Sequence, residues 1–264
     1  MHSPLLMAAA CGAAFLAGLV DAIAGGGGLI TLPVMLSLGL PPHVALGTNK
    51  GQSVFGTAAS LATFWRRGGI DTGRVPAAFL AGLAGSALGA LALLTVRPEP
   101  LRPLVVVLMI GAVAVVLGRP YIQTRVGAGA AAGGGAPMPA VPPRAIGLAT
   151  AIIGFTLGAY DGFFGPGTGS MLIIAFTVVL GDSLTRASGN AKVVNLASNL
   201  AAVAVFSWRG TIAWSIALPM AAANILGASV GTRLVLRQGD RFVRAVILIV
   251  VSAAVVKVSL DLRR

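Results

Sequence analysis

Long apolar segments alternate with short polar stretches along the chain, and this pattern predicts membrane-spanning helices. Charged residues are absent from four runs: 75–96, 103–118, 145–160 and 210–232. A helix rises about 1.5 Å per residue, so about 20 apolar residues cross a hydrocarbon core of about 30 Å. Barrel strands would instead alternate apolar and polar residues over about 10 positions. The pattern therefore predicts an all-α, polytopic integral membrane protein.

The apolar segments form two similar sets, each with one short member. The first set is predicted at residues 5–23, 29–39, 43–65, 74–96 and 101–119, and the second at 146–163, 170–180, 185–208, 215–237 and 243–261. The short segments, 29–39 and 170–180, reach only about 16 Å by helical rise, so neither crosses a bilayer alone. Each is a re-entrant half-helix or the second part of a broken helix. We expect about eight long transmembrane helices plus these two short segments.

The two sets are copies of one unit. An offset of 142 residues places Lys192 on Lys50 (192 minus 50), and upstream an offset of 140 places Asp161 on Asp21 (161 minus 21). The offset of 142 also aligns Gly47 with Gly189, Phe64 with Phe206, Gly85 with Gly227 and Gly89 with Gly231. We expect a first repeat at 1–122, a flexible Gly/Ala/Pro linker at 123–145 and a second repeat at 146–264. If each short segment returns beside the long one before it, each unit crosses an odd number of times, and the repeats have inverted topology.

Composition and charge support the membrane assignment. Only 10% of the 264 residues are charged, 56% are hydrophobic, and the mean hydropathy is +0.92. A soluble domain has about 25% charged residues, so lipid must cover this chain. The net charge of +12 comes from arginines between the apolar segments, as at 65–74 and 233–244. That distribution suits lipid headgroups, and it lacks the basic stripe with interleaved aromatics that is typical of nucleic-acid binding.

Glycine-rich stretches precede both short segments. They read GLVDAIAGGGGLITLP at 18–33 and YDGFFGPGTGS at 160–170. A helix that begins inside a membrane exposes unpaired N–H groups and about half a positive charge, which an anion satisfies. A nucleotide-binding loop is disfavoured because the chain lacks the G-x-x-x-x-G-K-[ST] pattern. The other alternative is that the glycines only allow close helix packing, as we expect for Gly85-x-x-x-Gly89 and Gly227-x-x-x-Gly231.

Polar residues recur on one face of the third segment of each repeat. Lys50, Ser53 and Thr57 fall at i, i+3 and i+7, and the second copy has Lys192, Asn195 and Asn199 at the aligned positions. Ionisable residues inside membrane helices usually line an interior or a pathway. The alternative is that each lysine extends to the membrane interface. Asp21 and Asp161 could neutralise the lysines, cap helices or carry protons, and the sequence leaves these roles open.

These observations predict a substrate site for a small anion near the midplane, between the repeats. Its candidate residues are Gly25, Gly26, Gly27, Gly28, Asn49, Lys50, Ser53, Thr57, Gly165, Gly167, Thr168, Gly169, Asn190, Lys192, Asn195 and Asn199, with Asp21 and Asp161 as ion-pair or coupling residues. The single cysteine, Cys11, offers no metal cluster, and we expect neither a metal nor a cofactor. The expected partners are the anion and the lipid bilayer, and the sequence predicts no particular oligomeric state.

The paired motifs resemble the TauE/SafE family of membrane proteins, which are described as sulfite exporters. The stretches that carry the resemblance are GLVDAIAGGGGLITLP at 18–33, ALGTNKGQS at 45–53, YDGFFGPGTGS at 160–170 and GNAKVVNLASN at 189–199. The resemblance implies a multi-pass protein of the cytoplasmic membrane that exports small sulfur-containing anions such as sulfite or organosulfonates. A passive anion channel, or a transporter of another small oxyanion or carboxylate, remains the alternative. An enzyme is disfavoured because neither His2 nor His43 belongs to a metal-ligand or triad pattern.

Overall fold

The structure, a computed structural model, describes residues 4–131 and 142–261, and this part of the chain is helical without strands. The helices are α1 (Pro4–Ala24), α2 (Gly28–Ser37), α3 (Pro42–Arg66), α4 (Val75–Thr95), α5 (Pro98–Ala131), α6 (Pro143–Phe163), α7 (Thr168–Leu180), α8 (Leu184–Trp208) and α9 (Trp214–Asp261). A single 3₁₀ turn, Thr72–Arg74, precedes α4. The all-α prediction is confirmed.

Helix boundaries follow the predicted segments closely, with one break and one extension. Gly239 has φ 67°, ψ −158°, so α9 is two helices that meet at a kink between the predicted segments 215–237 and 243–261. Helix α5 runs to Ala131, which makes the start of the predicted 123–145 linker helical. Alanine has the highest helix propensity, which favours helix in this alanine-containing stretch. Residues 132–141 of the predicted linker lie outside the described residues, and its last three residues, 143–145, already belong to α6.

Two apolar clusters form the core. The first contains Leu32, Met35, Leu46, Phe164, Phe206 and Met220. The second contains Phe64, Leu172, Phe176, Leu184, Val194 and Val235. Helix α3 enters the first cluster at Leu46 and the second at Phe64, whereas α8 enters the second at Leu184 and the first at Phe206. The helices α3 and α8, which align in sequence, therefore run between the clusters in opposite directions. The same holds for the pair α1 and α6, and for the pair formed by α4 and the first part of α9.

Both short helices turn back beside the long helix before them. Ala10 near the start of α1 and Met35 near the end of α2 lie in the same cluster. Ile153 near the start of α6 and Phe176 of α7 both lie in the other cluster. Each pair of helices is thus a hairpin that turns at its glycines. Each short helix is therefore a re-entrant half-helix and does not continue the long helix before it.

Glycines bring helices from the two halves of the chain into close contact. A Cβ added at Gly85 of α4 would overlap the backbone of Phe155 on α6, and one at Gly227 of α9 would overlap the backbone of Phe15 on α1. Gly89 and Gly231 make the equivalent approaches one turn further on. The predicted packing role of these glycine pairs is confirmed, and each pair joins a helix of one half to a helix of the other.

Five helical segments in the described residues are long and apolar enough to cross a membrane. They are Pro4–Ala24, Thr72–Thr95, Ala145–Phe163, Leu184–Trp208 and Trp214–Asp240. Helix α3 has the same 25-residue length as α8 but carries more polar residues in its centre. Large apolar side chains such as Leu80, Leu148 and Leu226 are exposed, which suits a lipid-covered surface.

Filling the helix contacts should destabilise the protein. Gly85→Ala and Gly227→Ala each push a methyl group into a neighbouring backbone, and overpacking of this kind costs about 1–3 kcal/mol. We expect both variants to unfold at a lower temperature than the wild type in detergent. Gly12→Ala on α1 is the control, because nothing lies within 4 Å of its added Cβ. Equal unfolding temperatures for all three variants would contradict the close approach of these helices.

Candidate functional site

A small polar cavity lies between the two apolar clusters, where both hairpins meet α3, α8 and α9. Every lining residue is polar or glycine: Asp21, Gly25, Gly27, Gly28, Asn49, Lys50, Ser53, Thr57, Asp161, Gly165, Gly167, Gly169, Asn195, Asn199 and Asn224. Its volume is about 40 Å³. One water needs about 10–15 Å³ by the same measure, so roughly three water-sized groups have room there. A small anion has this size.

The glycine turns bring the starts of α2 and α7 to the cavity. Ser170 N–H donates to the Gly25 carbonyl oxygen at 2.9 Å, and Ser170 Oγ donates to the Ala24 oxygen at 2.5 Å. A Cβ on Gly169 would lie 2.6 Å from Gly25 Cα, so the two turns meet backbone to backbone. Gly167, the N-cap of α7, has φ 86°, which an L side chain rarely adopts. Glycine is therefore needed both for the contact and for the turn.

Each buried lysine is paired with an aspartate from the other half of the chain. Lys50 Nζ lies 2.7 Å from Asp161 Oδ2, and Lys192 Nζ lies 2.6 Å from Asp21 Oδ2. Lys50 is 4% exposed and Lys192 1% exposed. Neither lysine therefore extends to an interface, and the aspartates neutralise the lysines as one of their three possible roles.

The two ion pairs differ in their relation to the cavity. Lys50 and Asp161 both line it. Lys192 also donates to the Asp21 main-chain oxygen at 2.6 Å and does not line the cavity. Of this second pair, only Asp21 is a lining residue. The expectation that both ammonium groups face one central anion therefore holds geometrically for Lys50 alone.

Amide groups complete the wall. Thr31 Oγ1 donates to Asn49 Oδ1 at 2.6 Å, which leaves the Asn49 amide hydrogens to other partners. Asn199 Nδ2 donates to Thr57 Oγ1 at 3.2 Å, and these two residues are related by the offset of 142 positions (199 minus 57). Asn195 has no hydrogen-bond partner within the described part of the chain, although it borders the cavity. Its amide is available to a ligand.

Four candidate residues lie outside the cavity lining: Gly26, Thr168, Asn190 and Lys192. The Gly26 carbonyl accepts from Leu29 N–H at 3.1 Å at the start of α2. Thr168 Oγ1 donates to the Gly165 oxygen at 2.7 Å and so belongs to the turn before α7. The Asn190 side chain, near the start of α8, donates to Asp182 and accepts from the backbone N–H of Asp71.

Sequence reasoning missed Asn224, which also lines the cavity from α9. Its Nδ2 donates to the Ala14 oxygen at 3.1 Å, and its Oδ1 lies against Gly56 of α3. The sequence signal for Asn224 was that it is the one amide side chain in the charge-free run 210–232. Asn224 also links α1 to α9 beside the glycine contacts.

An ionic cluster near the start of α8 explains where Asn190 lies. Arg74 Nη2 is 2.7 Å from Asp182 Oδ1, and Arg74 Nε donates to Asp71 Oδ2 at 2.8 Å. Asn190 Nδ2 donates to Asp182 Oδ2, while Asn190 Oδ1 accepts from Asp71 N–H, both at 2.8 Å. The hydrogen bond from Arg74 lowers the pKa of Asp71 in its loop. The cluster ties the loop before α4 to the turn between α7 and α8.

The cavity combines groups that attract an anion with the carboxylates of Asp21 and Asp161. Two helices begin at its wall, Lys50 contributes an ammonium, and Asn49 and Asn195 contribute amide donors. The positive end of each helix dipole favours negative charge, although most first-turn N–H groups, such as those of Leu29 and Ser170, already donate to carbonyl oxygens of the turns. The described residues hold no group of three or more His, Cys, Asp or Glu side chains that suits a metal ion.

Comparison with known proteins identifies a family over nearly the whole chain. Residues 10–258 match the family described as sulfite exporter TauE/SafE. A probable membrane transporter protein ORF9 of Sinorhizobium sp is 35% identical over 94% of this chain and 90% of its own length. A probable membrane transporter protein of Haemophilus influenzae is 35% identical over 89% of this chain and 87% of its own length.

A third relative, the probable membrane transporter protein YfcA of Escherichia coli K12, is 33% identical over 99% of this chain and 92% of its own length. No solved structure matches the chain. The family match and the apolar helices together show a multi-pass membrane transporter. This chain belongs to the TauE/SafE family.

Proposed function

We propose that this protein exports a small sulfur-containing anion, such as sulfite or an organosulfonate, across the cytoplasmic membrane. The observation that carries the proposal is the cavity at which α2 and α7 both begin, lined by polar residues and glycine. The family description supports sulfite as the substrate class. A cavity of about 40 Å³ suits a compact oxyanion and leaves little room for a large organic substrate.

Electrostatics support the choice of an anion. Each short helix contributes about half a positive charge at its N-terminus, and the low-dielectric surroundings of the cavity weaken screening. The side-chain amide of Asn195 borders the cavity, and the Lys50 ammonium lines it while paired with Asp161. A helix N-terminus and an ammonium are well suited to an oxyanion, whereas the paired arginines typical of bidentate carboxylate or phosphate clamps are absent from the lining.

The mechanism we propose is alternating access between two inverted-topology repeats with about eight long transmembrane helices. The opposite directions of α1 and α6, of α3 and α8, and of α4 and the first part of α9 support this arrangement. Inverted repeats with a midplane site at helix N-termini are typical of secondary transporters. An apolar cluster on each side of the cavity favours a carrier over a passive channel, which needs a continuous polar path.

Removing the charge of Lys50 should weaken anion binding. We expect Lys50→Met to raise the sulfite Kd at least about tenfold, or about 1.4 kcal/mol, because a charged hydrogen-bond donor is lost from the wall. Isothermal titration calorimetry on detergent-purified protein measures the Kd, and uptake of labelled sulfite by proteoliposomes measures transport.

Two further variants distinguish the loss of the Lys50 contact with the anion from the effect of leaving Asp161 without its partner. Lys50→Met leaves Asp161 as an unpaired buried carboxylate, which is strongly destabilising, whereas Lys50→Met combined with Asp161→Asn restores neutrality. We expect the double variant to recover thermal stability but not affinity. Lys192→Met, which alters the pair behind the wall, should affect stability more than affinity. Wild-type affinity in the double variant would exclude Lys50 as a ligand.

The unpaired amide of Asn195 should contribute to affinity without contributing to stability. We expect Asn195→Ala to raise the sulfite Kd severalfold, by about 0.5–1.5 kcal/mol for a neutral hydrogen bond, with little change in unfolding temperature. Asn190→Ala is the matched control, because it removes the same amide from the cluster around Asp182. That variant should lose thermal stability and keep the wild-type Kd. The reverse pattern would place the ligand outside the cavity.

A further inference from the structure

The charged side chains around the cavity sum to zero. Lys50 with Asp161 and Lys192 with Asp21 form two complete ion pairs. An anion that enters such a cavity adds a net negative charge, because both lysines are already paired and a helix dipole attracts the anion at its N-terminus without carrying a net charge. An uncompensated charge in an apolar environment is strongly unfavourable, so a compensating positive charge must enter with the anion.

Only one of the two pairs can exchange partners at the cavity wall. The Lys192 ammonium is held by both the carboxylate and the main-chain oxygen of Asp21, and it does not line the cavity. Lys50 and Asp161 both line the cavity, with side chains 5% and 7% exposed. An anion in the cavity can therefore contact the Lys50 ammonium and compete with Asp161 for it.

Resting on the proposed function, we propose that anion binding is coupled to a proton: the anion replaces Asp161 beside Lys50, and Asp161 binds one proton. A hydronium ion or a buffer acid in solution gives the proton to a carboxylate oxygen and leaves as water or the buffer's conjugate base. No bond within the anion changes, and release reverses both steps. The cavity is then neutral with and without its ligand. The transported unit is one anion with one proton.

The surroundings of Asp161 suit either protonation state. Ser198 Oγ of α8 donates to Asp161 Oδ2, and a hydroxyl can equally accept from a carboxylic acid. The charged groups around the site are Lys50 from α3, Asp21 from α1 and Lys192 from α8. Lys192 is neutralised by Asp21, so once the anion occupies Lys50, no cation remains to hold Asp161 ionised.

Calorimetry with methanesulfonate tests the coupling. This anion is the conjugate base of a strong acid and takes up no proton near neutral pH, so any proton uptake belongs to the protein. Titrations of the full-length protein in buffers with different heats of ionisation give the number of protons bound per anion. We expect about one in the wild type and close to none in Asp161→Asn, whose amide is permanently neutral. Asp71→Asn, the same change in the ionic cluster away from the cavity lining, should still take up about one.

The outcomes separate the coupling from the proposed function. Methanesulfonate binding without proton uptake by the wild type would overturn the coupling and leave the anion site standing. Proton uptake of about one in Asp161→Asn would overturn the assignment to that carboxylate. Failure of the wild type to bind either methanesulfonate or sulfite would overturn the proposed function and the coupling together. If Asp161→Asn does not fold, the wild-type value alone still decides whether a proton is bound.

Discussion

The pairing of each buried lysine with an aspartate from the other half of the chain is the interaction on which the arrangement depends. Lys50 of α3 holds Asp161 near the end of α6, and Lys192 of α8 holds Asp21 near the end of α1. An unpaired ammonium in these surroundings would be strongly destabilising. The pairs therefore fix where α1 and α6 end. Because the glycine turns follow directly, they also fix where α2 and α7 begin, and so place two helix N-termini at one cavity.

Much of this architecture is predictable from local sequence, because segment length and glycine chemistry act locally. The predicted segments 215–237 and 243–261 flank the observed kink at Gly239, and the glycine pairs pack as their spacing indicates. Segment length alone could not show that α2 returns beside α1, since a short helix can equally continue the preceding one. The direction is decided by which cluster its apolar side chains enter.

The candidate site is less fully predictable, because periodicity assigns a face but tertiary contacts decide what that face meets. Lys192 and Asn195 share a helix face, yet Asp21 covers the lysine while Asn195 borders the cavity. Asn190, which the aligned motif also suggested, is used by Asp182 and Asp71. Asn224 joins the lining from the charge-free first part of α9. The network of partners, which no local pattern encodes, makes these distinctions.

The close glycine contacts between helices of different halves have a consequence for biosynthesis. Helices α1 and α4 emerge from the ribosome long before α9 and α6, against which they pack most closely. Until translation reaches the second half, Lys50 also lacks the carboxylate that neutralises it. A nascent first half thus holds glycine grooves and a charged side chain with no native partner, which is the kind of intermediate that membrane chaperones protect. We therefore expect the two halves to fold as a single unit.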